Sequence, residues 1–529
     1  MKQHSFASRL KSLALVFGIA LAFASCANED IVQNPNGTDN NKNLTTFTVG
    51  DPSTRTSMES NGAFYWEAGD KIWVKDDNGV WQQSSNAPTE KTASFMFGVP
   101  GKFTKTNTYK VYYPGQHGNQ NQVTIAANQS QAEPNTTAHF GASGDCGMAD
   151  AAWSDSKKGF AFTLDHKAAY LLFLPRTSNT ILHDCYLTKV EINSDNDITS
   201  TYTLDPTTGK LTGTDKQIIV STGGSGAYAN GFPLTNNSAS AATNGTYAVI
   251  KPGTHTLKIR YWVKDIVTQV EGTITKTLAS ATYDQNKYYN ITANLNVKDY
   301  DGDHYYMWDA QEQYWKGYEW TKNLPARVGQ PTLNNWLPGA TTSSNYAKSS
   351  ADPRYYNTSY PGYGISNPAT HTPCKDLPNA NEMSWYCMYG DPRWDADELW
   401  STMNHLYKGG MWFKKKSVLQ ADGNYDTEKS ADGSTDLRTT RDSYTNTSSS
   451  IINSGLPSAA DAGNYFYLPA LSFYNSGQLD GCGREGFYWS SSANPENSNY
   501  AYYLRIAYGY VLVVYSYRYH GMRVEPTVE

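Results

Sequence analysis

Ten residues near the carboxyl end have the types that make contacts rather than break bonds: Asn499, Tyr500, Tyr503, Arg505, Tyr508, Tyr510, Tyr515, Tyr517, Tyr519 and His520. Tyrosine offers a large ring and a hydroxyl with only two torsions to freeze, and Tyr and Arg are enriched where proteins meet ligands. Catalysis has no such foothold. No His-Glu-x-x-His, Gly-x-Ser-x-Gly or phosphate-loop pattern occurs. No close pair of carboxylates stands in an apolar setting, as glycoside hydrolysis requires. His405 and His520 have no evident partners for a triad. The expectation is a binding protein, not an enzyme, with no cofactor and no metal.

The contact residues are interleaved with a second set that reads as scaffold: Phe487, Tyr488, Trp489, Ser490, Ala501, Leu504, Ile506, Val511, Val513, Gly521 and Val524. Strand side chains alternate faces with period two. In 502–506 this places Tyr502, Leu504 and Ile506 inward, and Tyr503 and Arg505 outward. So many tyrosines cannot all be buried with their hydroxyls satisfied.

This closing stretch resembles the end of a C-type-lectin-like domain. The shared residues are Tyr488-Trp489-Ser490-Ser491-Ser492, Ala501-Tyr502-x-Leu504, Val511, and Arg518-x-x-Gly521-x-x-Val524-x-Pro526. Glu525 departs from the Arg usual there. In a subset of such domains this segment is the variable region of a diversity-generating retroelement, which scatters Tyr, Asn, Ser, His and Arg over surface positions. The resemblance implies an α+β C-terminal domain whose outward residues bind ligand.

The chain has 529 residues, 17% of them charged, and a net charge of -6. That length suggests several domains. The only basic run is Lys414-Lys415-Lys416, so nucleic-acid binding has no electrostatic footprint. At the start, Lys2, Arg9 and Lys11 precede the apolar run 13–23 and then Ala24-Ser25-Cys26. A basic segment, a short apolar core and small residues make a secretory signal, too short for an ordinary membrane span. Small residues before a Cys resemble a bacterial lipobox, which implies a lipid on Cys26 and membrane attachment. Glu29 and Asp30 resemble the surface-export signal of Bacteroidetes lipoproteins. Of the other cysteines, Cys146, Cys185, Cys374, Cys387 and Cys482, an odd number cannot all pair. Cys374 and Cys387 are candidates for a disulfide in an oxidising compartment.

Residues 26–44 read as a polar tether. From Thr45 short strands and turn signals alternate, which suggests β-sandwiches. The markers are Thr54-Arg55-Thr56, then Trp66-x-x-Gly69-Asp70-x-Ile72-x-Val74, then Tyr112-Tyr113-Pro114. Phe162-x-Leu164-x-His166 and Tyr288-Tyr289-x-Ile291-x-Ala293-x-Leu295 follow. In this order they resemble the fimbrillin family of Bacteroidetes pilins. The resemblance implies two tandem transthyretin-like β-sandwiches, 45–213 and 214–297. It also implies a cell-surface, pilus-associated place, and a proteolytic cut after Arg55 that opens a groove for a strand from another subunit. His166 reads as a structural histidine.

Asp299-x-Asp301-Gly302-Asp303 lacks the twelfth-position Glu of a calcium loop and reads as a linker. Beyond it, 298–529 reads as the ligand-binding domain. Glu382, Met383, Tyr386 and Cys387 have helical spacing, and Gly390 reads as a stop. Asp395 and Glu398 form a capping-box pattern, and Leu399, Met403, Leu406 and Tyr407 form a stripe, so a second helix is expected over 395–407, ended by Gly409-Gly410. The whole reads as a cell-surface adhesin, an outer-membrane lipoprotein at a pilus tip or associated with a pilus, binding an extracellular protein or glycan. The alternatives are an outer-membrane glycan-binding lipoprotein and a structural stalk pilin.

Overall fold

Alternating apolar residues dominate the chain, and they fold as strands. A computed structural model describes residues 2–5, 44–49, 57–58, 64–318 and 346–525, apart from 206, 208–210, 213, 267, 404, 454 and 476. These residues are mostly β and divide into two compact units, Met1–Val263 with Lys276–Leu295, and Lys264–Thr275 with Asn296–Glu529. Cys26, nearly all of the tether, Arg55, and all of the signal segment except 2–5 lie outside the described residues.

In the first unit, Leu44–Val49 pairs antiparallel with Phe95–Pro100 and parallel with Gly159–Phe162. Phe47, Val49, Trp66, Val74, Phe97, Val111, Phe160 and Phe162 fill the core of this sheet. The turn at Gly69 (φ +87) is joined to the Tyr-Tyr-Pro strand, because Tyr113 donates its hydroxyl to Asp70 Oδ1 at 2.8 Å and packs edge-on against Trp66. Two markers distant in sequence are thus one contact.

The apolar run Ala169–Arg176 is buried on both faces, so it needs a neighbour on each side. It lies between Thr246–Ile250 and Lys287–Asn294. Cys185–Ser194 likewise pairs with Gln217–Thr222. Strands on both sides of residue 213 therefore share sheets. On Gly253–Asp265 the alternating Leu257, Ile259, Tyr261 and Val263 are all fully buried. His166 is buried, with Nδ1 2.9 Å from Asp145 Oδ1, and serves packing.

The second unit contains a six-stranded sheet. Its order is Tyr305–Tyr306, Met522–Arg523, Glu485–Ala493, Tyr500–Ala507, Tyr510–Tyr517 and Tyr444–Asn446. The helix Ala380–Tyr389 packs on one face of this sheet. Asn379 caps it by accepting from Glu382 N at 3.0 Å, Glu382 reaches back to Asn379 N at 2.8 Å, and Gly390 ends it.

The helix expected over 395–407 is instead a hairpin, Arg393–Thr402 with His405–Lys414. Asp395 does bind the backbone of Asp397 and Glu398, but at a β-bulge where the register shifts. Glu398 turns away and accepts from Thr273 Oγ1 and Thr275 N in the same unit. Gly409 and Gly410 lie within the strand rather than ending a helix. A Cβ on Gly410 would stand 2.4 Å from Leu468 O, so the glycine admits the neighbouring Tyr465–Pro469 strand. The run expected as a linker is folded: Asp299 accepts from Ser401 Oγ at 2.8 Å, and Asp301 accepts from Asp303 N at 2.9 Å.

The Cys374–Cys387 disulfide is absent, and no disulfide joins any of the five described cysteines. Cys387 belongs to the core under the helix. Cys374 belongs to a different core with Phe487, Trp489 and Tyr503. The sheet separates the two.

One half-buried histidine makes the first unit sensitive to acid. His139 Nε2 lies 3.3 Å from Tyr247 O, and burial pushes its pKa down to about 4. The unfolded chain binds a proton near pH 6.5, before the folded one does. Stability is therefore complete above pH 6.5 and falls as pH drops toward 4, by up to about 3 kcal/mol. Thermal melts of the wild type and His139→Gln between pH 7 and 4 should show a shallower loss in the variant. Equal slopes would remove His139 as the cause.

Candidate functional site

The closing hairpin, Tyr500–Ala507 with Tyr510–Tyr517, defines two faces through its register. Tyr502 stands opposite Tyr515, Leu504 opposite Val513 and Ile506 opposite Val511. This face packs against Met383, Tyr386 and Cys387 of the helix, so Tyr502, Leu504 and Ile506 point inward as the alternation requires.

Beyond the helix the same face continues as a tyrosine ridge. Tyr500 and Tyr515 rings stack at 5.8 Å, Tyr517 meets Tyr500 edge-on at 4.8 Å, and Tyr519 stacks on Tyr517 at 4.9 Å. Two loops extend it. Arg441 pairs with Glu496 at 3.0 Å and lies 5.9 Å from the Tyr515 ring. Tyr363, 75% exposed, donates to Glu496 Oε1 at 3.0 Å.

The opposite face carries Tyr503, Arg505, Tyr510, Leu512, Val514 and Ser516. Arg505, Tyr510, Leu512, Val514 and Ser516 are half-buried and form an open patch. Arg505 donates from Nε and Nη2 to Glu485 Oε2 at 3.1 and 2.8 Å, with its guanidinium 5.1 Å from the Tyr510 ring. His520 sits 3.1 Å from Ser516 Oγ and packs edge-on against Phe473. Burial pushes the His520 pKa down to about 4, so this ring is neutral near pH 7. A pocket of ≈ 320 Å³ adjoins the patch, lined by Ser472, Phe473, Asn475, Gln478, Gly481, Arg484, Glu485 and Phe487.

Two residues expected to face outward do not. Tyr503 is 8% exposed, stacked on Phe487 and edge-on to Trp489. Tyr519 is 5% exposed, packed with Tyr517 and His520. Asn499 is exposed in the turn before the hairpin, and Tyr508, 65% exposed, tops the hairpin beside Gly509. The ten residues therefore divide among the ridge, the opposite patch and the hairpin ends. Phe473, Arg484, Glu485, Tyr363 and Arg441 join them without a periodic signal in sequence. Tyr363 in particular lies in a stretch legible only as loop. Among the described residues no group of three or more His, Cys, Asp or Glu side chains could hold a metal ion.

Buried Arg518 ties this surface together. Its Nε donates to Tyr500 O at 3.0 Å, and its Nη1 donates to Asn357 O at 2.8 Å and Ser359 O at 3.0 Å. The guanidinium lies 4.5 Å over the Trp308 ring, and burial draws its pKa down to about 10. Asp309 completes the clamp by accepting from Asn357 Nδ2 at 2.7 Å, Thr370 N at 2.9 Å and His371 N at 2.7 Å. Arg523, also buried, donates to Asp301 O at 2.7 Å and pairs with Glu525. Glu525 thus anchors the last strand from within. Replacing Arg518 with Met removes the donor of Asn357 O, while Tyr500 O keeps Asn494 N at 3.0 Å and Ser359 O keeps Asn367 Nδ2 at 2.7 Å. The substitution should cost roughly 2 kcal/mol. Hydrogen exchange over 357–371 should accelerate in the variant, and unchanged protection there would refute the clamp.

No protein-family model matches the chain, and no curated protein matches it. Solved structures give weak likenesses. A candidate cell-adhesion protein from Bacteroides fragilis is 12% identical over 48% of this chain and 93% of its own, with a TM-score of 0.28. The tip fimbrial protein Mfa3 from Porphyromonas gingivalis is 10% identical over 47% of this chain and 94% of its own, with a TM-score of 0.24. A fimbrilin from Porphyromonas gingivalis W83 is 13% identical over 47% of this chain and 90% of its own, with a TM-score of 0.25. Likeness at this level carries no argument about fold or function.

Proposed function

We propose that this chain is a cell-surface adhesin, a lipoprotein associated with a pilus, that recognises its ligand through the C-terminal unit. The observation that carries the reading is the open patch on the closing hairpin. Arg505, Tyr510, Leu512 and Val514 stay half-exposed on a sheet whose other face is packed under a helix. Aromatic rings, a guanidinium and small apolar groups side by side are the composition of recognition surfaces. The tyrosine ridge and exposed Tyr508 extend the contact area to the ends of the hairpin. Attachment through a lipid on Cys26 and diversification of the closing segment belong to the same reading, and both rest on resemblance in sequence.

The test replaces Tyr508, Tyr510, Tyr515 and Tyr517 with Ser. Beads coated with the variant should adhere to cultured epithelial cells about tenfold less than beads coated with the wild type. Loss of the stacked Tyr515 and Tyr517 rings should lower the melting temperature by about 5–10 °C and leave the variant folded at the assay temperature. A collapse of stability would show these rings to be core, and unchanged adhesion would end the proposal.

One observation favours strand addition as the way other pilus subunits attach. Lys2–Ser5 lies antiparallel beside Lys287–Asn290, on the outer edge of a sheet. Under the signal-peptide reading those residues are removed, which leaves an edge open to another strand. A chain beginning at residue 27, with a cut after Arg55, should form detergent-resistant ladders on gels. A chain that stays monomeric after the cut would count against it.

A further inference from the structure

We propose that the pocket beside Glu485 is a binding site for one sugar residue of a glycan, held through a vicinal diol. The inference rests on the recognition reading and assigns a ligand class to one part of that surface. The pocket's ≈ 320 Å³ is small among ligand sites, enough for about one or two sugar rings. Its lining brings together Asn475, Gln478, Ser472, Arg484 and Glu485, with the Phe473 and Phe487 rings packed 4.3 Å apart at its wall. Planar amides, a carboxylate and a guanidinium match adjacent hydroxyls, each of which donates one hydrogen bond and accepts others. An aromatic ring complements the apolar C–H face of the sugar. A pocket built to take a protein anchor would be lined mainly by apolar groups.

Glu485 is prepared for this task. Arg505 donates twice to Oε2, which fixes the carboxylate and leaves Oε1 to accept from a ligand hydroxyl. A hydrogen bond to an ionised acceptor is about twice as strong as a neutral one. The Arg505 side chain that orients Glu485 also stands against Tyr510 on the open patch. A sugar in the pocket would therefore adjoin whatever the patch binds.

The experiment uses the full chain and free methyl hexosides, since the natural glycan is unknown. Saturation-transfer NMR with the methyl galactoside, glucoside, mannoside and fucoside at about 10 mM suits the weak affinity of single sugars. At least one should receive transfer at its ring protons. Asn475→Ala and Gln478→Ala, both at accessible positions, should each weaken binding by about tenfold with unchanged melting. Absence of transfer from every hexoside, or binding untouched by both substitutions, overturns the proposal. The outcomes separate cleanly. If hexosides fail yet the four-tyrosine variant still loses cell adhesion, the pocket assignment falls and the recognition reading stands. If neither has an effect, both fall.

Discussion

A guanidinium buried among carbonyls is the constraint on which the C-terminal unit depends. Arg518 has no exposed surface, and its charge is met by the oxygens of Tyr500, Asn357 and Ser359 and by the Trp308 ring face. Removing a charge from water is tolerable only when its donors are used and the surroundings are polarised toward it. Backbone carbonyls from the hairpin and from a long irregular loop supply that setting. The loop accordingly has no freedom to drift, even though it has almost no regular structure. Asp309, fully buried in the same region, does the reverse for backbone amides. Together the two charges position a segment that hydrophobic burial alone could not hold.

That division of labour explains why the outer face of the closing hairpin tolerates so many large polar side chains. The inward residues of the hairpin, Tyr502, Leu504, Ile506, Val511 and Val513, are sealed by the helix. The half-buried positions on the other face contribute less to folding, so packing constrains their identity less. The pairing of Arg505 with Glu485 keeps a charged patch from becoming a strong field of one sign.

Some of this was legible in the chain itself. The helix at 380–389 declared itself through the spacing of Glu382, Met383, Tyr386 and Cys387 and the stop at Gly390, because both are local signals, whereas its cap at Asn379 emerged only in the structure. Alternation along 502–506 correctly separated inward residues, because the pleat is also local. It could not say that Tyr503 would be covered by Phe487 and Trp489, since that cover comes from a neighbouring strand. The hairpin at 393–414 was misread for a related reason. An aspartate that binds amides two and three residues ahead looks the same at a helix start and at a bulge. Only the partner strand Tyr465–Pro469 decides between them. The residues around the pocket carried no pattern, because turns assemble them from separate strands.

The separation of the thiols has an effect on how the molecule is held together. Cys146, Cys185, Cys374 and Cys387 are all sealed inside, and none has a sulfur partner. Burial raises the pKa of Cys374 and Cys387, which keeps them as unreactive thiols rather than thiolates. Among the described residues no disulfide braces the fold, so its cores rest on packing and hydrogen bonds alone.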